Sequence, residues 1–245
     1  LNHPNIIDTE FMAINEINRA GGILGKIILP VMIDRSAIEQ SFGPETDRIL
    51  KEENLEAIFG CLSPQCVEII KPIVEKHKKL LFSPSEYSLK TNSHNLVFIG
   101  AAPNQQIIPG VVWTIRNLGT RFFIIGEKLD GYNGFLQAVD VQIIKDTINA
   151  YNAQFVGESY INNNILSTEN AVKHIEKAKP SVIINLLRNQ INTTFFSTLR
   201  KFGISSEKIP TMSFQITEVE RAHFNFEQLI GDYVTQNYFQ TLETP

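Results

Sequence analysis

The sequence lacks the features that mark several specialised protein classes. It has only two cysteines in 245 residues, so it cannot carry the disulfide framework of a small secreted scaffold. No apolar run approaches the roughly 20 residues that a membrane-spanning helix needs. Positive charge is not in excess, because 22 Lys and Arg stand against 26 Asp and Glu, a net charge of −4. We therefore expect no nucleic-acid partner and no electrostatic attraction to anionic lipid.

Catalytic and metal-binding motifs are also missing. The sequence has no G-x-S-x-G, P-loop, G-x-G-x-x-G or H-E-x-x-H segment. Cys61 and Cys66 have neither a redox nor a zinc spacing. We interpret Cys61 as a buried structural cysteine, and Cys66 as either structural or a helix N-terminal thiol with a lowered pKa. The chain is predicted not to be an enzyme, and we expect no cofactor and no metal.

Short apolar runs alternate with amphipathic segments along the whole chain. The runs are typical of strands buried on both faces of a parallel sheet, and the other segments have helical spacing. Strands are predicted over 27–33, 57–61, 79–82, 96–99, 121–125, 155–161, 181–187, 211–216 and 229–234. Helices are predicted over 8–20, 44–50, 64–77, 105–118, 132–152, 168–178 and 192–202, with Pro44 opening the second and Trp113, Phe195 and Phe196 in the core. The predicted fold class is α/β, with parallel sheets flanked by helices.

The predicted strands are too many for one compact sheet. We predict two lobes, 1–118 and 119–235, followed by the start of a crossover back to the first lobe over 236–245. Because ligands bind at the carboxyl ends of parallel strands, the loops after the strands form the candidate site. They are rich in hydroxyl and amide groups, which suit a small polar ligand. Arg188 follows strand 181–187 directly and is interpreted either as a cleft residue or as part of a surface ion pair.

Several segments carry a family resemblance. Residues 13–25 read A-I-N-E-I-N-R-A-G-G-I-L-G, residues 59–61 read F-G-C, and residues 100–106 read G-A-A-P-N-Q-Q. The first resembles the opening of type I periplasmic binding proteins, the solute-binding proteins of ABC transporters. The others resemble the urea and short-chain-amide branch, which includes an amide-sensing regulator. The resemblance runs along nearly the whole chain and implies a two-lobed fold that closes on a ligand without catalysis.

The resemblance also implies where the ligand would be held, and there the chain departs from the branch. Leu62 and Pro64 stand where the branch has an aromatic residue and an amide-binding serine. Losing those groups predicts weak or no binding of urea and acetamide, because each unpaired polar group costs roughly 1–3 kcal/mol. A wider polar pocket is the alternative. The predicted ligand-binding residues are Ser63, Pro64, Gln65, Ser83, Ser85, Tyr87, Tyr132, Asn189, Gln190 and Gln215.

Two functions follow from the resemblance. One is an extracytoplasmic, typically periplasmic, protein that binds a small polar, amide-like or amino-acid-like solute and feeds an ABC permease. The other is the ligand-sensing domain of a signalling receptor or regulator, which would be cytoplasmic if regulator-like and would act on an output domain. A homodimer is possible in either case. Compared with the family pattern, the chain is expected to be incomplete at both ends, as a piece of a longer receptor would be.

Overall fold

The computed structural model describes residues 4–33, 39–53, 55–61, 64–84, 92–218 and 225–242. The chain divides into two compact units, residues 1–55 and residues 56–245. In the described residues, no helix is both long enough and apolar enough to cross a membrane.

The described residues of the first unit form two helices, α1 (Pro4–Arg19) and α2 (Glu39–Glu52). Helix α1 ends at the predicted glycine pair, where Gly21 and Gly22 adopt φ values of 104° and 76° that favour glycine. The prediction that Pro44 opens the second helix is wrong, since Pro44 lies inside α2. A proline there leaves one carbonyl of the preceding turn without its helical donor, and the helix continues through it.

The strand predicted over 27–33 is also wrong, because these residues form neither a helix nor a strand. The side chain of Asn18 forms hydrogen bonds with both backbone groups of Ile28: its Nδ2 donates to Ile28 O (2.9 Å) and its Oδ1 accepts from Ile28 N (2.8 Å). Pro30 has no N–H to offer a neighbouring strand. An apolar run becomes a strand only when another strand pairs with it, and composition does not report pairing.

The second unit begins with a parallel three-stranded sheet in the order β1-β2-β3. Helix α3 packs on β2, and Val67, Ile70 and Val74 of the helix are buried together with Leu81 of the strand. The strands and helix are β1 (Ala57–Phe59), β2 (Leu80–Ser83), β3 (Leu96–Phe98) and α3 (Pro64–His77).

A second sheet has five parallel strands in the order β5-β4-β6-β7-β8. Its strands are β4 (Arg121–Glu127), β5 (Gln154–Ile161), β6 (Val182–Asn185), β7 (Thr211–Ser213) and β8 (Tyr233–Val234). Its helices are α4 (Ile107–Asn117), α5 (Gly131–Ala150), α6 (Ile165–Ala178) and α7 (Asn189–Lys201), and a short 3-10 helix spans Phe226–Gln228. The observed sheets confirm the predicted fold class, although β8 is much shorter than its predicted strand.

The five-stranded sheet separates two hydrophobic cores. Side chains alternate along β4, so Phe123 and Ile125 face one core while Phe122 and Ile124 face the other. Helices α6 and α7 cover the first core, where Phe195 and Phe196 are buried as predicted. Trp113 was predicted to pack in the core, but its side chain is 43% exposed and its ring lies against Tyr233, 5.2 Å between centroids.

Helices α4 and α5 cover the opposite face of the same sheet. Ile107 and Val111 of α4 share a core with Phe122 and Ile124 of β4. The N-terminus of α4 therefore belongs to the layer that packs on the second sheet, although the sequence placed it in the first lobe. The lobe boundary at residue 118 stays a prediction.

Candidate functional site

The carboxyl ends of three neighbouring strands place polar side chains at one edge of the five-stranded sheet. Strand β4 ends at Glu127, β6 at Asn185 and β7 at Ser213, and the three strands are parallel. All three of these residues are buried. Buried polar groups need hydrogen-bond partners, so their partners determine how the loops that follow are held.

An asparagine pair holds the turn from β6 to α7. Asn185 Nδ2 donates to Asn192 Oδ1 (2.8 Å) and to Ser213 Oγ (3.0 Å), while Asn185 Oδ1 accepts from Leu187 N (2.9 Å). Asn192 Nδ2 donates to Leu187 O (2.8 Å). The network is not among the sequence-based predictions, although an asparagine inside the apolar run 181–187 is a signal for it. The network fixes the backbone immediately before Arg188.

Glu127 connects the end of β4 to the start of α7. Its Oε1 accepts a hydrogen bond from Arg188 N, and the side chain of Gln137 bonds to both backbone groups of Glu127, at 2.8 and 2.7 Å. Burial raises the pKa of the Glu127 carboxyl above its usual value, while the Arg188 N–H and the Arg188 charge lower it. Glu127 is therefore a buried acid whose ionised form is disfavoured by the fold.

This pKa shift predicts how the Glu127→Gln variant behaves. The ordinary pKa of the group is 4.5 and its folded value is higher, so the fold loses stability as pH rises through that interval. A Gln at this position keeps a neutral acceptor for Arg188 N. We expect the variant to gain unfolding free energy relative to the parent protein as the pH rises above 4.5. Urea unfolding at several pH values measures this, with Glu176→Gln on the exposed surface of α6 as control. A variant whose stability falls relative to the parent over that range would contradict the assignment.

The predicted residues that follow β4, β6 and β7 lie past the carboxyl ends of these strands. Asn189 is exposed and opens α7 with φ 48°, in the left-handed region. Gln190 beside it is exposed, while Gln215 and Arg188 are half-buried. Tyr132 lies in the first turn of α5, and its side chain is outside the described residues. Their ligand-binding role stays a prediction.

Of the predicted ligand-binding residues next to the three-stranded sheet, the structure describes Pro64, Gln65 and Ser83. Gln65 is exposed in the first turn of α3, next to Pro64. Ser83 is buried at the end of β2, and its hydroxyl donates to Cys61 O (2.9 Å). This bond gives Ser83 a structural partner, and ligand contact by Ser83 stays a prediction. The remaining candidates, Ser63, Ser85 and Tyr87, lie outside the described residues.

The two cysteines form a disulfide, which corrects their interpretation as separate thiols. Cys61 and Cys66 are bonded, with 5.1 Å between their Cα atoms, and both are buried. Cys61, two residues past the end of β1, adopts φ 60°, and its disulfide joins it to Cys66 in the first turn of α3. The sequence spacing indicated no known motif, so only the tertiary structure revealed the pair. The bond removes the possibility of a reactive thiol at Cys66.

Glutamines from two distant segments meet beyond the ends of β7 and β8. Gln106 Nε2 donates to Phe214 O (2.9 Å) and Thr235 O (3.0 Å), and Gln236 Nε2 donates to Phe214 O and Ile216 O, both at 3.0 Å. Gln106 belongs to the G-A-A-P-N-Q-Q segment, and no local pattern in the sequence predicts its contacts with Phe214 and Thr235. Metal ligands, by contrast, are not gathered anywhere in the described part of the chain.

Comparison with known families gives one match over nearly the whole chain. A family model described as a periplasmic binding protein domain matches residues 2–245.

Solved structures with the same fold include several substrate-binding proteins of ABC transporters. An amino acid ABC transporter substrate-binding protein from Pseudomonas fluorescens is 15% identical with a TM-score of 0.73, and the match covers 94% of this chain and 61% of that one. A branched-chain amino acid transporter substrate-binding protein from Streptococcus pneumoniae, in complex with isoleucine, is 17% identical with a TM-score of 0.67, over 95% and 66% of the two chains. A solute-binding protein from Rhodopseudomonas palustris, in complex with 3,4-dihydroxy benzoic acid, is 13% identical with a TM-score of 0.61, over 82% and 55%. The chain thus spans less than two thirds of these proteins, and identities this low show the fold alone.

Proposed function

The chain belongs to the periplasmic binding protein family, and we propose that it is the greater part of an extracytoplasmic solute-binding protein that delivers a small organic carboxylate to an ABC permease. Amino acids and aromatic acids are the ligand classes we favour. This choice replaces the broader expectation of an amide-like or amino-acid-like solute, and it places urea and acetamide among the poor ligands.

The observation that carries the proposal is the polar edge of the five-stranded sheet. Arg188 follows β6 and Gln215 follows β7, so both lie where ligands of parallel sheets bind. Arg188 brings a positive charge to this edge, and its backbone is held there because its N–H donates to Glu127 Oε1. A guanidinium matches the planar, two-oxygen geometry of a carboxylate. An edge with this charge suits an acidic group better than a neutral amide.

The ligands of the structural relatives support the same class. Isoleucine, leucine, 3,4-dihydroxy benzoic acid and 4-hydroxybenzoate are bound in four of them. All four molecules carry a carboxylate, and they differ in the rest of the molecule. A carboxylate is therefore the shared chemical group that we carry over to this chain.

A binding panel tests the proposed function. Isothermal titration calorimetry with isoleucine, leucine, 4-hydroxybenzoate, urea and acetamide compares the two ligand classes directly. We expect at least one carboxylate to bind at least about tenfold more tightly than either amide, since a charge-assisted bond contributes about 1.5–3 kcal/mol. Tight binding of urea or acetamide, with none of the carboxylates bound, would reject the proposal in favour of the urea and short-chain-amide branch.

Arg188 provides a sharper prediction. We expect Arg188→Ala to weaken binding of the carboxylate about 10- to 100-fold, because a charged hydrogen bond to the ligand is lost. Arg188→Lys keeps the positive charge but lacks the paired N–H donors of the guanidinium, and it should weaken binding less than Arg188→Ala. The control is His174→Ala on the exposed surface of α6, which should leave affinity unchanged. Equal losses in Arg188→Ala and His174→Ala would show that the ligand does not contact this edge of the sheet.

Location and partners follow from the same proposal. The Cys61–Cys66 disulfide supports an oxidising compartment such as the periplasm. An ABC permease is favoured over a signalling output domain because the solved relatives named above belong to ABC transporters. A homodimer stays a prediction.

We also propose two lobes with the boundary moved to precede α4, whose side chains share the core of the second sheet.

A further inference from the structure

The chain on either side of Gln215 lies just beyond the last hydrogen bonds of the sheet. Strands β7 and β8 pair up to Ser213 and Val234, and Thr235 N then donates to Ser213 O (3.0 Å). Past this point the carbonyls of Phe214 and Ile216 have no strand partner on that side. The two side chains themselves are buried, so their carbonyls need donors from elsewhere.

Two glutamine amides supply these donors. Phe214 O accepts from Gln106 Nε2 at 2.9 Å and from Gln236 Nε2 at 3.0 Å, and Ile216 O accepts from Gln236 Nε2 at 3.0 Å. Gln236 thus bonds to the residue before Gln215 and to the residue after it. Gln106 Nε2 also lies 3.3 Å from Gln236 Oε1, which joins the two glutamines to each other.

The same place is closely packed against helix α4. A methyl group added at Gly110 of α4 would lie 2.9 Å from the Phe214 ring and 2.8 Å from Thr235. Phe214 N donates to Asn185 O (3.0 Å), which ties it to β6 as well. Phe214 is therefore held by α4 on one side and by β6 on the other. The side chain of the next residue, Gln215, is half-buried.

We propose that Gln106 and Gln236 are positioning residues that set the backbone of 214–216 and thereby aim the Gln215 side chain at the ligand. This inference rests on the proposed function and gives Gln215, already a candidate ligand contact, the role of determining specificity through its amide group. The glutamines take the place of a further strand, and their side chains reach carbonyls that the sheet no longer pairs. Gln106 and Gln236 do not contact the ligand themselves.

The test uses Gln236→Glu, which keeps the size of the side chain and removes its donors. We expect faster amide hydrogen exchange over residues 214–217 and, with isoleucine or 4-hydroxybenzoate as probe, about fivefold to tenfold weaker binding. Gln142→Glu on the exposed surface of α5 is the matched control and should change neither. The same substitution in a Gln215→Ala background should cost almost no further affinity, because coupled residues are non-additive. A purely structural glutamine would lower affinity equally in both backgrounds.

The outcomes separate this inference from the proposed function. If the protein binds none of the probe carboxylates, the proposed function fails, and hydrogen exchange over 214–217 still decides whether Gln236 orders that segment. Unchanged exchange in Gln236→Glu overturns the inference, and so does an equal loss of affinity with and without Gln215. Should Gln236→Glu fail to fold, Gln106→Glu is measured in the same way, because it removes the second donor to Phe214 O.

Discussion

Asp232→Ala is expected to lower the free energy of unfolding by about 3 kcal/mol, because it breaks a buried ion pair and leaves its partner uncompensated. Asp232 Oδ2 accepts from Arg200 Nη2, and Asp232 Oδ1 accepts from Thr211 N at 2.7 Å. The side chains of Asp232 and Arg200 are 4% and 21% exposed. Burial raises the pKa of Asp232, and the charge of Arg200 opposes that shift. The pair joins α7 to the segment that leads into β8.

A double-mutant cycle separates the ion pair from its surroundings. Urea unfolding of Asp232→Ala, Arg200→Ala and the double variant should show that the double variant loses less than the sum of the single losses. The ion pair between Lys201 and Glu169 provides the control, since Lys201 is 69% exposed and Lys201→Ala should cost no more than about 1 kcal/mol. Strictly additive losses in the cycle would mean that Asp232 and Arg200 act independently.

The second large effect is expected at Phe196, where truncation to Ala should cost about 3–5 kcal/mol. Its ring is 1% exposed, lies edge-on to Phe195 with 5.5 Å between centroids, and has the Arg200 guanidinium 5.9 Å from its centre. Removing it opens a cavity between α7 and the five-stranded sheet, and the neighbouring side chains fill such a cavity only in part.

Phe155 is the matched control for Phe196. It lies on the edge strand β5 and is 40% exposed, so Phe155→Ala removes less buried surface and should cost clearly less. Guanidinium chloride unfolding, followed by circular dichroism, measures both variants. If the two substitutions cost the same, Phe196 is not part of a close-packed core.

The predicted helices and strands depended on patterns that are local to each segment. Strand β4 and helix α7 were found from the sequence because an apolar run and a three-to-four spacing are properties of the residues themselves. The predicted start of α7 at residue 192 was wrong, since the helix already begins at Asn189 and includes Gln190. The prediction of a strand over 27–33 was wrong because strand pairing involves residues elsewhere in the chain. The backbone of Ile28 is hydrogen-bonded to the side chain of Asn18 instead of to a second strand. The same reason explains why β8 shrinks to Tyr233–Val234.

The candidate site was predictable in position but not in its internal bonds. Parallel strands bring their carboxyl ends to one edge, so Arg188, Asn189 and Gln215 could be selected from strand ends alone. The partners that hold these residues come from distant parts of the chain. Gln106 reaches Phe214 across 108 residues, a separation that no local pattern reports.

The α/β class, the alternation of helices and strands, and the family resemblance can be read from the amino-acid sequence alone, because each depends on composition, periodicity or contiguous motifs. The Cys61–Cys66 disulfide, the layer to which α4 belongs, and the glutamine bonds around Gln215 become visible only in the folded chain. These features depend on which residues meet in space. Such contacts arise only when the chain has folded and its buried polar groups have found their partners.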